Sequence, residues 1–140
     1  MGNREYELLA EFTVDGQPPR KSNQRRLVTR GRGPKAKAMI IKSDAARAYV
    51  EHFALSVPGE YRDRAFGSLE ENLRVDVVVY YTSRRPDLSV ELIKDCLENA
   101  GVIKNDRYIR EEHLYGFVDK ENPRTSIRLY RIPSDRTSPF

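Results

Sequence analysis

The sequence has no tryptophan, one cysteine and two histidines, and each scarcity closes off a class of chemistry. A single thiol, Cys96, cannot form an intrachain disulfide, which suits a reducing compartment and makes packing its expected role. His52 and His113 offer no zinc spacing with so little cysteine, and no Ser/His/Asp set is credible. Glycine forms no phosphate-binding fingerprint, because Gly31-Arg32-Gly33 is too short and lacks a strand-to-helix context. No apolar run is long enough to span a bilayer, and the opening Met-Gly-Asn-Arg-Glu-Tyr lacks a signal-peptide core, so a cytoplasmic protein without membrane contact is expected. The most local absence is of acid. From Arg20 to Lys42 the charged residues are Arg20, Lys21, Arg25, Arg26, Arg30, Arg32, Lys35, Lys37 and Lys42, with no carboxylate among them. The net charge is only +4, so this block stands apart from the rest, and a block of one sign requires solvent or a polyanion.

At 140 residues the chain is one domain, 1–140, able to bury roughly two-thirds of the surface its unfolded form exposes. No internal repeat is found. Residues 6–14, with Tyr6, Leu8, Ala10 and Phe12 alternating against polar neighbours, predict a strand. Asp15-Gly16-Gln17-Pro18-Pro19 breaks it, and residues 17–42 follow as a basic loop or loose hairpin. Ser43 caps a helix that runs to about Ser56 with a buried stripe of Ala45, Tyr49, His52 and Phe53, ended by Pro58-Gly59. The polar residues 60–72 carry no assignable pattern. Leu73 to Tyr81, LRVDVVVYY, is the strongest strand signal. A helix follows Pro86, with Asp87 or Ser89 as cap, Leu88, Leu92, Ile93, Cys96, Leu97 and Ala100 on its apolar face, and Gly101 closing it. Residues 108–118 and 125–132 read as two strands joined by a hairpin, and 133–140 as a frayed tail. The expected fold is α+β: a mixed sheet of about four strands with two packed helices, in the order β-loop-α-β-α-β-β.

Candidate chemistry gathers between Arg84 and Asp106. Asp87 sits beyond a central strand, and Asp106 follows a polar break that gives the chain room to turn back; two carboxylates so placed can share a divalent cation. The competing readings are a helix cap for Asp87 and a turn residue for Asp106. Likewise His52 and His113 read as packed or surface residues unless a ligand partner lies near, and Tyr80 and Tyr81 read either as core or as stacking platforms for bases.

These residues resemble the RusA-type Holliday junction resolvases, small endonucleases of phages and prophages. Pro18-Pro19-Arg20-Lys21-Ser22-Asn23 resembles an early Pro-Pro-Ser-Asn segment that precedes a basic loop and a Ser-led helix containing Tyr, as Ser43 to Tyr49 does here. Arg85-Pro86-Asp87-Leu88 resembles a Pro-Asp-Leu-Asp-Asn motif, and Asp95 through Asp106 resembles an Asp-Ala-Leu, Ala-Gly, Asp-Asp ending. The resemblance implies a homodimer that binds four-way DNA junctions and cuts two opposed strands with Mg²⁺, or Mn²⁺ in its place, held by aspartates. Asp87 then matches a motif aspartate and Asp106 the distal one. The motif departs from the family in two registers: Ser89-Val90 stand where the second aspartate and asparagine belong, or Asp87 is that second aspartate and Arg85 replaces the first. One acidic ligand is missing either way. Glu91, four residues after Asp87 on the same helical face, is the candidate replacement and Asp95 a weaker one, while Lys94 is the nearest lysine for charge stabilisation. DNA contacts are expected from Arg20, Lys21, Asn23, Arg25, Arg26, Arg30, Arg32, Lys35 and Lys37. Two other functions fit the same residues: a nucleic-acid-binding module whose site has decayed, for which RNA is as good a polyanion as DNA, and a nuclease of the Pro-Asp…Glu-x-Lys kind, whose last spacing Glu91-Leu92-Ile93-Lys94 exceeds by one residue.

Overall fold

The computed structural model describes residues 5–20, 23–84, 89–138 and 140. Its centre is β4 (Leu73–Tyr81), in which Leu73, Val75, Val77, Val79 and Tyr81 are buried and the residues between them half-buried. Strict alternation of this kind makes a strand with one face in the core. The core strand is flanked on both sides, giving the sheet order β1-β6-β4-β5 with β1 (Glu7–Asp15), β5 (Ile109–Val118) and β6 (Arg124–Arg131). β4 pairs parallel with β5 and antiparallel with β6, so the sheet is mixed. Helices α1 (Asp44–Ser56) and α2 (Glu91–Asn99) pack against each other and supply Phe53, Ile93 and Leu97 to the core alongside β4. A separate two-stranded sheet joins β2 (Arg25–Arg30) to β3 (Lys37–Lys42). The α+β class and the element order are as the sequence predicts.

Three local expectations need correction. β5 and β6 are consecutive but do not form a hairpin: they lie on opposite sides of β4, and the turn between them crosses its end, where the Asp119 N–H donates to the Tyr81 carbonyl at 2.8 Å. A strand as apolar as β4 is most stable with a neighbour on each edge, and two strand spacings, about 10 Å, are within reach of the five intervening residues. In β1 the inward phase changes at a bulge between Leu8 and Ala10, so Leu8 is exposed while Ala10, Phe12 and Val14 are buried. In α1 the stripe is Ala46, Tyr49 and Phe53; Ala45 and His52 face solvent, and His52 Nε2 lies 2.7 Å from the Asp15 carbonyl oxygen. The Tyr49 hydroxyl donates to Thr125 Oγ1 at 3.1 Å, which satisfies two buried polar groups and ties α1 to β6.

The other face of the sheet carries ordered pairs: Arg74 with Asp76 at 2.8 Å, Arg128 with Glu11, and Arg131 with both Glu7 and Glu71. Beyond β6, Arg136 donates to the Tyr6 hydroxyl at 2.9 Å, which places the start of the C-terminal segment against β1.

Candidate functional site

The basic block forms an arm. β2 and β3 pair antiparallel, with Arg25 opposite Lys42, Leu27 opposite Ile40 and Arg30 opposite Lys37. A turn over Gly33–Lys35 closes it, and Gly31 takes φ +88, where a Cβ would also crowd the Lys35 carbonyl at 3.1 Å. At its root the buried Gln24 donates to the Pro19 carbonyl at 3.0 Å, and the Ser43 N–H donates to the Gln24 carbonyl at 2.8 Å. Ser43 also accepts from the Ala46 N–H at 3.1 Å, so the residue that caps α1 also anchors the arm. Arg20, Asn23, Arg25, Arg26, Arg30, Arg32, Lys35 and Lys37 are all exposed, whereas Lys21 lies outside the described residues. Arg26 reaches Asp44 at 3.6 Å and Lys42 reaches Asp95 at 3.7 Å, while Arg20, Arg25, Arg30, Arg32, Lys35 and Lys37 make no ion pair among the described residues. A cation cluster with so little internal neutralisation keeps its attraction for phosphates.

The arm stands over α2. Arg25, Ile40 and Lys42 face Glu91, Leu92 and Asp95 across a cleft of about 220 Å³. α2 begins at Glu91, with Val90 as its first flanking residue and no side chain closing the end; Ser89 Oγ accepts only a long 3.4 Å bond from the Glu91 N–H. Ser89 is thus not the cap the sequence suggests, and Asp87, the other candidate, lies outside the described residues. The buried face of α2 is Leu92, Ile93, Cys96 and Leu97, as expected. Glu91, Asp95 and Glu98 recur at four and three residues and share another face. Of these, Asp95 pairs with Lys42, and Glu98 Oε1 accepts the Asp106 N–H at 3.0 Å. Lys94 is held at 2.7 Å by Glu112 of β5. The exposed carboxylates of Glu91 and Asp106 have no hydrogen-bond or ion-pair partner among the described residues.

Asp106 is positioned by residues 60–72, the stretch without sequence pattern. Residues 65 and 66 run beside 101–104: the Ala65 N–H donates to the Gly101 carbonyl at 2.9 Å, the Phe66 N–H to Val102 at 3.0 Å, and the Lys104 N–H back to Phe66 at 2.9 Å. Gly101 closes α2 with φ +74, as expected, and a Cβ there would lie 2.7 Å from Asp63 Oδ1. Asp106 then opens a single 3₁₀ turn before β5, with the preceding Asn105 side chain accepting the Arg107 N–H at 3.0 Å. Glu91 and Asp106 thereby mark opposite ends of α2. Glu91 to Glu98 alone spans about 10 Å of helix, and it is Glu98 that touches Asp106. Its contact with Asp106 is the feature sequence reasoning missed, although the spacing of Glu91, Asp95 and Glu98 was legible.

Neither tyrosine of β4 is free for bases. Tyr81 is buried, and Tyr80 stacks on Phe117 with centroids 5.8 Å apart beneath the Arg124 guanidinium at 3.7 Å. Cys96 is buried, and burial pushes its thiol up to about 12. Among the described residues no three His, Cys, Asp or Glu side chains form a group that could hold a metal ion, and no helix is long and apolar enough to cross a membrane. Compared with known proteins, residues 16–130 match the family model of endodeoxyribonuclease RusA, from before the basic arm to the last residues of β6. No curated protein matches the chain.

Proposed function

Because this chain belongs to the endodeoxyribonuclease RusA family, an enzyme family acting on DNA, we propose that it is a Mg²⁺-dependent, structure-selective endodeoxyribonuclease that resolves four-way junctions by paired hydrolysis of opposed strands. The observation that carries the reading is the joining, in one matched domain, of a poorly neutralised basic arm to a helix flanked by unpaired exposed carboxylates, Glu91 at its start and Asp106 beyond its end. Asp106 is an exposed oxygen ligand of the kind a hard divalent cation takes, with no protein cation competing for it among the described residues, whereas Glu91 stands at the other end of α2, too far from it to share one ion. Asp87 and Asp106, the positions that match the motif aspartates, are the residues we assign to the ion; Glu91, expected as the replacement ligand on a helix shared with Asp87, instead opens α2 itself and is left out. When bound, such an ion lowers the pKa of a water and offsets charge on the phosphate oxygens.

The chain's own residues do the rest. Arg20, Lys21, Asn23, Arg25, Arg26, Arg30, Arg32, Lys35 and Lys37 hold the backbone of branched DNA without reading much sequence. Lys94 serves as a charge stabiliser by exchanging Glu112 for a phosphate oxygen, a swap open to a side chain on the rim of α2. Cutting two strands together calls for two copies, so the working unit is a homodimer.

The test is cleavage of an end-labelled synthetic junction in Mg²⁺ and in EDTA, beside a linear duplex, by the native protein and by Asp87→Asn and Asp106→Asn. Paired nicks near the branch point that need the metal, and that each substitution lowers by about a hundredfold or more while junction binding survives, are expected. Tight junction binding with no cut in Mg²⁺ or Mn²⁺ would make the protein a binding module instead.

A further inference from the structure

The arm exposes more than charge. Leu27 and Ile40 lie directly opposite each other in the β2–β3 pair, and each is 69% exposed. Scattered apolar side chains on a surface need no explanation. Two facing each other on an arm otherwise rich in arginine and lysine do, because a two-stranded hairpin is marginal by itself and gains nothing from leaving them in water. Their direction is also defined. Cross-strand partners share a face, so Leu27 and Ile40 lie on the face that carries Arg25 and Lys42, and Ile40 itself lines the cleft opposite Glu91, Leu92 and Asp95. The apolar pair therefore stands beside the carboxylate-bearing end of α2.

We propose that Leu27 and Ile40 form an apolar wedge that enters the opened branch point of DNA, while the surrounding arginines and lysines grip the phosphates on either side. The occupant follows from charge and shape. Residues 20–42 contain no acid, so a second arm laid on this face would bring cation against cation, whereas a polyanion satisfies every one of them. Intact duplex offers an apolar side chain only stacked bases, but a branch point offers base faces that a wedge can cover with little further unstacking. The pair thus senses structure rather than sequence. This inference rests on the nuclease reading and names how that site selects its substrate.

It is tested with junctions carrying a fluorescent adenine analogue at the branch point, in EDTA so that nothing is cut, comparing the native protein with a Leu27→Ser/Ile40→Ser double variant. Circular dichroism and sedimentation are run on both. The native protein is expected to raise the fluorescence of the analogue and to prefer junction over duplex. The double variant, altered only at exposed side chains, is expected to keep its circular dichroism, sedimentation and duplex affinity. It should lose the fluorescence rise, and its junction preference should fall by roughly tenfold, the scale of removing one base-stacking interaction. A variant that unstacks and discriminates like the native protein overturns the wedge and leaves the nuclease reading standing. A variant with changed sedimentation makes the pair a subunit contact and overturns it too. A native protein with no junction preference overturns both.

Discussion

Single residues decide whether the carboxylate-bearing segment is held still. Gly101 is the sharpest case, since a side chain there meets both a left-handed backbone and Asp63. Gly101→Ala is expected to destabilise the protein by about 1–2 kcal/mol or more, readable as a lower urea midpoint, and to weaken cleavage beyond what stability explains because Asp106 lies five residues on. An unchanged midpoint would show that the 63–66 segment moves aside freely. Cys96 gives the second test. With its thiol pushed up to about 12 by burial, essentially no thiolate exists at about pH 8, where an ordinary thiol is partly ionised. A thiol reagent should therefore label the native protein only at the rate at which it opens, and label it at once in denaturant. Rapid labelling of the native form would place the thiol at the surface. In the core, Leu97→Ala is expected to cost about 2–5 kcal/mol by the same urea measurement.

At the scale of elements, the arm and α2 make separable contributions. The arm acts through counterion release, so Arg30→Ala with Lys37→Ala should reduce the slope of log affinity against log salt by about 0.9 for each phosphate no longer neutralised, while weakening all DNA forms alike. A slope that stays put would remove these two side chains from the DNA surface. α2 acts on chemistry, so Asp106→Asn should leave that slope alone and change only the cutting rate. The same separation explains why Ser43 matters beyond its helix: its hydroxyl accepts the Ala46 N–H to cap α1 and donates to the Asn23 carbonyl at the root of the arm, so Ser43→Ala is expected to cost about 1 kcal/mol and to loosen DNA binding as well.

For the whole molecule, the relevant question is how one small domain makes two cuts. The described structure sets Glu91 and Asp106 at the two ends of α2, with the arm rooted beside the first. A homodimer would present two arms and two such helices to one junction. Sedimentation at the concentrations used for cleavage should report twice the monomer mass, and a monomer that makes paired cuts would contradict the proposal.

Much of this could be read from the chain before folding. The alternation of Leu73 to Tyr81, the Ser43 cap, the apolar face of α2 and the acid-free run from Arg20 to Lys42 are local patterns, fixed by side-chain spacing, backbone preference and charge. So were the closing glycine of α2 and the resemblance in its last segment. What required the tertiary structure was everything set by partners distant in sequence. A bulge shifted the inward phase of β1 at Leu8. β6 passed β5 to lie against β1 because β4 needed cover on both edges. Glu112 captured Lys94, and residues 63–66, unreadable by themselves, became the brace for Gly101 and Asp106. Periodicity reports which face a residue will bury. Only the assembled sheet decides which neighbour it meets, because that choice depends on the sum of interactions across the molecule.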